Sequence, residues 1–126
     1  MLNKGFKQLL AETAAVIDGV SVPSALGLVD DPEAVFVDVR EGGEWAQGHI
    51  PGAVHAPRGH LEFLADPEFP RHNAALVQDK MLVLYCATDR RSILAAKTLH
   101  DMGFPRACPL IGGMAAWKEA DGPIEA

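Results

Sequence analysis

Two apolar runs, Ala34-Val35-Phe36-Val37-Asp38-Val39 and Met81-Leu82-Val83-Leu84-Tyr85, stand out along a chain whose other segments mix apolar and polar positions. Their near-continuous apolar character predicts strands covered on both faces, as in parallel sheets flanked by helices. Around them the apolar residues take helical spacing. Phe6, Leu9, Leu10, Thr13, Val16 and Ile17 line one side of a helix over residues 3 to 17, and Lys4, Lys7, Gln8 and Glu12 fall elsewhere on the wheel. Residues 91 to 102 give the most regular helix. Shorter helices are predicted over 25–29, after Pro23 and Ser24; over 41–47, stopped by Gly48; over 61–65; and from Gly112-Gly113 to Lys118, ended by Asp121-Gly122-Pro123. Short strands are predicted at 20–22, 53–56 and 107–110, and residues 66–79 read as a polar connection. Alternating strands and helices with short joints imply an α/β fold with a mostly parallel, doubly wound sheet. Ligands of such sheets bind beyond the strand C-termini. Cys86 stands at one of these ends and Arg40 follows another.

Length and charge narrow the reading. A chain of 126 residues, 48% hydrophobic, builds one core without metal or disulfide staples. A net charge of -6 argues against nucleic acid or an anionic membrane surface as the main partner, because both are bound through excess Lys and Arg. No apolar run approaches the ~20 residues of a membrane span. The N-terminus has the charges of a signal peptide, yet Gln8, Glu12 and Thr13 interrupt any apolar segment. Cys86 and Cys108 have neither zinc nor CxxC spacing, so free thiols and a cytoplasmic, reducing location are expected.

The chemistry concentrates in Cys86-Ala87-Thr88-Asp89-Arg90-Arg91-Ser92, between a strand and a helix. The first backbone N–H groups of a helix have no internal partner and carry the positive end of its dipole, so an anion is stabilised there. With Arg90 and Arg91 in the same turn, Cys86 is expected to act as a nucleophilic thiolate. The competing reading is a buried structural thiol. Cys108, in a short core strand, is expected to be inert unless the fold brings it to Cys86. Asp38 and Arg40 invite a catalytic reading, but an Asp and Arg two apart at a strand end also tie loops together. Arg58 is a candidate for the pocket rim. Arg91 either organises the loop or meets an anionic donor, and Arg90 is expected to face the mouth. His49 is expected to satisfy backbone groups or pair with Glu44. His55, His60, His72 and His100 show no metal-ligand spacing and read as surface or packing residues. Trp45 and Trp117 read as packing residues.

These residues resemble the rhodanese-like sulfurtransferases across roughly residues 20 to 120. Val37-Asp38-Val39-Arg40-Glu41 is similar to that family's strand ending in Asp-x-Arg. Glu44-Trp45 and Gly48-His49-Ile50-Pro51-Gly52-Ala53 resemble its next segment, Leu84-Tyr85-Cys86 to Ser92 its active-site loop, and Leu110-Ile111-Gly112-Gly113 with Ala116-Trp117 its C-terminal pattern. The resemblance implies a five-stranded, rhodanese-like doubly wound sheet with helices on both faces. It divides the chain into an N-terminal amphipathic helix at 1–19 and the domain at 20–126.

It also implies a covalent, cofactor-free mechanism. Cys86 takes a sulfane sulfur from thiosulfate or a persulfide, holds it as a persulfide, and passes it to a thiol or cyanide or to a protein sulfur carrier. The backbone amides of Ala87, Thr88, Asp89, Arg90, Arg91 and Ser92 would cradle the sulfur, with Arg40 and Arg58 as further substrate-binding candidates. Two rivals share the architecture. Cysteine phosphatases and arsenate reductases use Cys-x5-Arg, one residue longer than Cys86 to Arg91, because a phosphoryl group is larger than a sulfur atom. A docking or sensing module would keep the fold without the chemistry. Asp89 keeps that rival open: it replaces a usual Gly, and a carboxylate beside a thiolate opposes its ionisation and repels anionic donors. If the position requires a left-handed backbone, Asp is among the residues that tolerate it.

Overall fold

The two apolar runs form the centre of one parallel sheet. In the computed structural model, which describes residues 1–126, the elements follow the order α1 (Phe6–Ala14), α2 (Val22–Leu26), β1 (Ala34–Asp38), α3 (Gly42–Ala46), β2 (Val54–His55), α4 (Leu61–Ala65), β3 (Met81–Tyr85), α5 (Arg90–Met102), β4 (Ala107–Pro109) and α6 (Gly113–Glu119). A 3-10 turn at Arg58–His60 precedes α4. The strand order is β2-β1-β3-β4, every pair parallel. β1 and β3 run in register from Ala34 opposite Met81 to Asp38 opposite Tyr85. Their chemistry-bearing residues therefore emerge side by side at the same sheet end.

The fifth strand expected at 20–22 contracts to one residue. Val20 makes a single parallel bridge to Leu110, its N–H donating to Pro109 O at 2.9 Å. Ser21 then caps a helix, its hydroxyl oxygen accepting from Ser24 N at 3.4 Å. Pro23 in the first turn suits that start, because its φ is already helical and its missing N–H is no loss there. The helix expected over 25–29 therefore begins earlier and runs Val22–Leu26.

Helices cover both faces. Leu61 and Ala65 of α4 and Ala95, Ala96 and Leu99 of α5 pack with Val37, Leu82 and Leu84. On the other face Val22 and Ala25 of α2 and Met114 and Trp117 of α6 pack with Phe36, Val83 and Tyr85. α5 ends at Gly103, whose left-handed φ of 110° lets the Phe104 N–H reach back to Leu99 O at 2.9 Å. α1 is shorter than the predicted 3–17 and lies against α5. Thr13 and, beyond the helix, Ile17 are buried, while Phe6, Leu9 and Val16 remain exposed. No helix is long and apolar enough to cross a membrane.

Candidate active site

Cys86 follows directly on β3, and its residue surface is 1% exposed. The chain then turns through Ala87, Thr88 and Asp89 into α5. The backbone N–H groups of Ala87, Thr88, Asp89, Arg90, Arg91 and Ser92 donate to no protein acceptor; Ile93 is the first to do so, to Asp89 O at 2.8 Å. Ser92 Oγ accepts from the Cys86 thiol at 3.6 Å and donates to Asp89 O at 3.0 Å. A buried thiol thus sits in a loop whose amide dipoles have no internal partner, the arrangement that stabilises an anion.

The loop is held from behind by α6. Met114 N donates to Cys86 O at 2.8 Å and Ala115 N to Ala87 O at 3.0 Å. Across a planar trans peptide the C=O and the next N–H point in opposite directions, so these bonds turn the amides of Ala87 and Thr88 away from α6. Gly112 and Gly113 make the approach possible, with φ of 79° and 58°. A Cβ on Gly113 would stand 2.6 Å from Cys86 O and overlap Thr88 O.

Arg91 faces α3 and pairs with Glu44, Nη1 to Oε1 at 2.8 Å and Nη2 to Oε2 at 3.0 Å. Glu44 is placed by a capping box, its Oε1 accepting from Glu41 N at 3.0 Å. The hydrogen bonds from Arg91 outweigh the cost of partial burial and hold the Glu44 pKa down to about 2. The same contact with Glu44 raises the Arg91 pKa, with smaller contributions from the neighbouring Cys86. Of the two roles weighed for Arg91, these contacts are those of a loop organiser. Arg90 is exposed and forms no ion pair.

Arg40 is buried with Asp38. Nε lies 3.0 and 3.1 Å from the two Asp38 oxygens, Nη2 donates to Oδ2 at 2.7 Å and to Gly48 O at 2.7 Å, and the Arg40 amide donates to Oδ1 at 2.9 Å. Burial works against the guanidinium charge, but Asp38 more than offsets it and the Arg40 pKa is raised. These are the bonds of the loop tie rather than of a substrate-facing group. Beside the pair, burial followed by the Asp38 charge pushes the Tyr85 hydroxyl pKa up, and that hydroxyl accepts from Ile50 N at 3.1 Å. Arg58 donates to Glu62 Oε1 and to Thr98 Oγ1, each at 3.0 Å.

Three positions were left open by the sequence. Asp89 has φ -152°, so no left-handed conformation is demanded of it. His49 does not pair with Glu44: its Nδ1 meets Trp45 O at 3.2 Å, in line with the backbone alternative, and its Nε2 lies 3.6 Å from Glu125 Oε1. The rings of His49 and His55 both stack on Trp45, at centroid separations of 3.5 and 4.8 Å. Cys108 packs on the α2 and α6 face, whereas Cys86 belongs to the α4 and α5 core, and both thiols are free. Burial pushes the Cys108 pKa up to about 11.

Comparison with known proteins places the class. Residues 21–120 match the rhodanese-like domain family, and the chain belongs to it. A sulfurtransferase of Allochromatium vinosum is 35% identical over 99 residues, 79% of this chain and 85% of that protein. A Bacillus subtilis protein named for sulfur carriage is 33% identical over 108 residues; they make up 85% of this chain and 54% of that protein's length. Among solved structures, a protein of unknown function from Rhodopseudomonas palustris, for which tyrosine phosphatase activity has been suggested, superposes with a TM-score of 0.92 at 38% identity. It covers 99% of this chain and 97% of its own. The human single-domain sulfurtransferase gives 0.70 at 29% identity, covering 80% of this chain and 95% of its own.

Proposed function

We propose that this chain is a sulfurtransferase of the reducing cytoplasm that carries sulfane sulfur as a persulfide on Cys86. The observation that carries the reading is the ring of unpartnered amides from Ala87 to Ser92 around a buried thiol. The Cys86 thiolate attacks the outer sulfur of thiosulfate. A bond forms between Sγ and that sulfur, the bond to the sulfonate sulfur breaks, and sulfite departs with the electron pair. The product is Cys86–S–S⁻, whose terminal charge lies where the free amides supply hydrogen bonds and a positive dipole end. Arg90, exposed at the helix start, meets the anionic donor. A persulfide donor enters by the same exchange with its own thiolate as the leaving group. In the second step cyanide or a thiolate, free or borne by a protein sulfur carrier, attacks the outer sulfur, and Sγ leaves as the thiolate. No cofactor is needed, because each step exchanges one S–S bond and its electron pair.

The phosphatase suggested for the Rhodopseudomonas protein is the second reading. It gains no support from the loop, since Arg91 is engaged with Glu44 and the next position offers Ser92 in place of a guanidinium. Phosphoryl transfer needs positive charge directed at the equatorial oxygens. The test is a paired assay of one preparation: thiocyanate release from thiosulfate and cyanide, and hydrolysis of p-nitrophenyl phosphate. Thiocyanate release abolished by Cys86→Ser, with no phosphate release, is expected. Cys86-dependent phosphate release without thiocyanate would overturn the proposal in favour of the phosphatase, and neither activity would favour a docking module.

A further inference from the structure

We propose that Glu44 is a positioning residue that sets donor specificity: by holding both outer nitrogens of Arg91 it withholds that guanidinium from oxyanions, so the loop admits one sulfur atom and leaves the oxyanion part of a donor outside. The inference rests on the persulfide reading of Cys86 and adds how the donor is oriented. The observation that carries it is a carboxylate fixed in place independently of Arg91. Glu44 Oε1 accepts from the Glu41 amide at 3.0 Å, at the start of α3, as well as from Arg91 Nη1 at 2.8 Å, and Oε2 accepts from Arg91 Nη2 at 3.0 Å. The next residue, Trp45, stacks with the rings of His49 and His55, which anchors the same helix.

Arg91 belongs to the reacting centre as well. It directly precedes Ser92, whose Oγ lies 3.6 Å from Cys86 Sγ. Its pKa is raised by Cys86 as well as by Glu44, so the guanidinium lies within electrostatic reach of the thiol. A guanidinium carries five N–H groups, so the pair with Glu44 leaves donors over. What Glu44 removes is the uncompensated charge and the freedom to turn, the two properties with which a planar fork grips phosphate or sulfonate. Arg40 is likewise engaged with Asp38, and Arg58 with Glu62. Arg90, exposed and outside every ion pair, is the guanidinium left for the donor's charge.

Thiosulfate can approach a ring of amides by either end, because its outer sulfur and its sulfonate both carry negative charge. With Arg91 withheld, the sulfonate stays at Arg90 and the outer sulfur faces Sγ. The new S–S bond then forms, the bond to the sulfonate sulfur breaks, and sulfite leaves with the electron pair. With Arg91 released, the sulfonate would be drawn inward and the outer sulfur would point away from Sγ, a dead end.

The test uses the full chain as wild type, Glu44→Gln, Glu44→Asp and the double variant Glu44→Gln, Arg91→Met. The first measurement needs no sulfur transfer. Inorganic phosphate is tested for protection of Cys86 from iodoacetamide at constant ionic strength, with the alkylated residue located by peptide mass. Glu44→Gln is expected to lower the half-protecting phosphate concentration about tenfold, the size of one added charge-assisted hydrogen bond. Glu44→Asp, which keeps the charge, should stay near the wild type, and the double variant should lose the gain. The second measurement is single-turnover loading from thiosulfate. Dead-end binding lowers the maximal rate and the half-saturating concentration by a common factor and leaves their ratio unchanged, whereas a merely loosened loop lowers the ratio. The common factor is expected for Glu44→Gln. Equal protection of wild type and Glu44→Gln, a gain that survives Arg91→Met, or a fallen ratio would overturn the proposal and leave the persulfide intact. An Arg91-dependent gain in a protein whose wild type loads no sulfur would overturn donor selection together with the persulfide reading.

Discussion

Arg91 and Glu44 form a two-point ion pair, at 2.8 and 3.0 Å, that clamps the first turn of α5 to the first turn of α3. Because the pair holds the Glu44 pKa at about 2 against an ordinary 4.5, its stabilisation is present above the unfolded value and is lost as pH falls toward 2. Both side chains are about one-third exposed, so solvent screening limits the effect. Glu44→Gln is expected to cost roughly 1 kcal/mol at pH 7. Urea unfolding from pH 7 to pH 3 checks this: the gap between wild type and variant should narrow steadily as the solution is acidified.

Gly113 carries the close contact between α6 and the loop. Its φ of 58° disfavours any side chain, and the added Cβ would overlap Thr88 O. Gly113→Ala is expected to cost at least about 2 kcal/mol. It should also displace the amides facing Cys86, so sulfur loading should fall even at temperatures where far-UV circular dichroism shows a folded chain.

The buried Asp38–Arg40 pair predicts a sign that a simple count of contacts would miss. Arg40→Met alone leaves a buried carboxylate without its partner and is expected to cost about 3–5 kcal/mol. The double variant Asp38→Asn, Arg40→Met removes that uncompensated charge and should recover part of the loss. A thermodynamic cycle by urea denaturation gives the coupling directly.

Cys108, held in the opposite core layer with its pKa near about 11, should be unreactive toward iodoacetamide in the native protein at pH 8 and gain reactivity as pH approaches 11. Cys108→Ala is expected to load sulfur as the wild type does. Loss of loading in that variant, with the fold intact, would assign Cys108 a role in the transfer.

The central sheet was legible because burial on both faces leaves a direct trace in sequence: β1 and β3 are the two apolar runs, and α5 is the one long regular helix. The position of Cys86 followed from the same pattern, since a strand followed at once by a helix leaves a short loop with unsatisfied amides. The strand at 20–22 misled because Val20 and Val22 look alike in sequence, whereas Ser21 and Pro23 turn the chain into a helix after one bridge. Long-range choices left no local signal. Glu44 precedes Arg91 by 47 residues, and nothing near it says that Arg91, rather than His49, will be its partner. The Gly112-Gly113 pair was visible as a motif, but its reason, the nearness of the Thr88 carbonyl, exists only in three dimensions.

The central claim is that Cys86 carries the sulfur, and intact-mass measurement tests it most directly. Wild type and Cys86→Ser are exposed to thiosulfate, freed of excess and weighed under non-reducing conditions. The account predicts a gain of one sulfur atom in the wild type alone, removed by cyanide with release of thiocyanate. The same gain in Cys86→Ser, or no gain in the wild type, would contradict it.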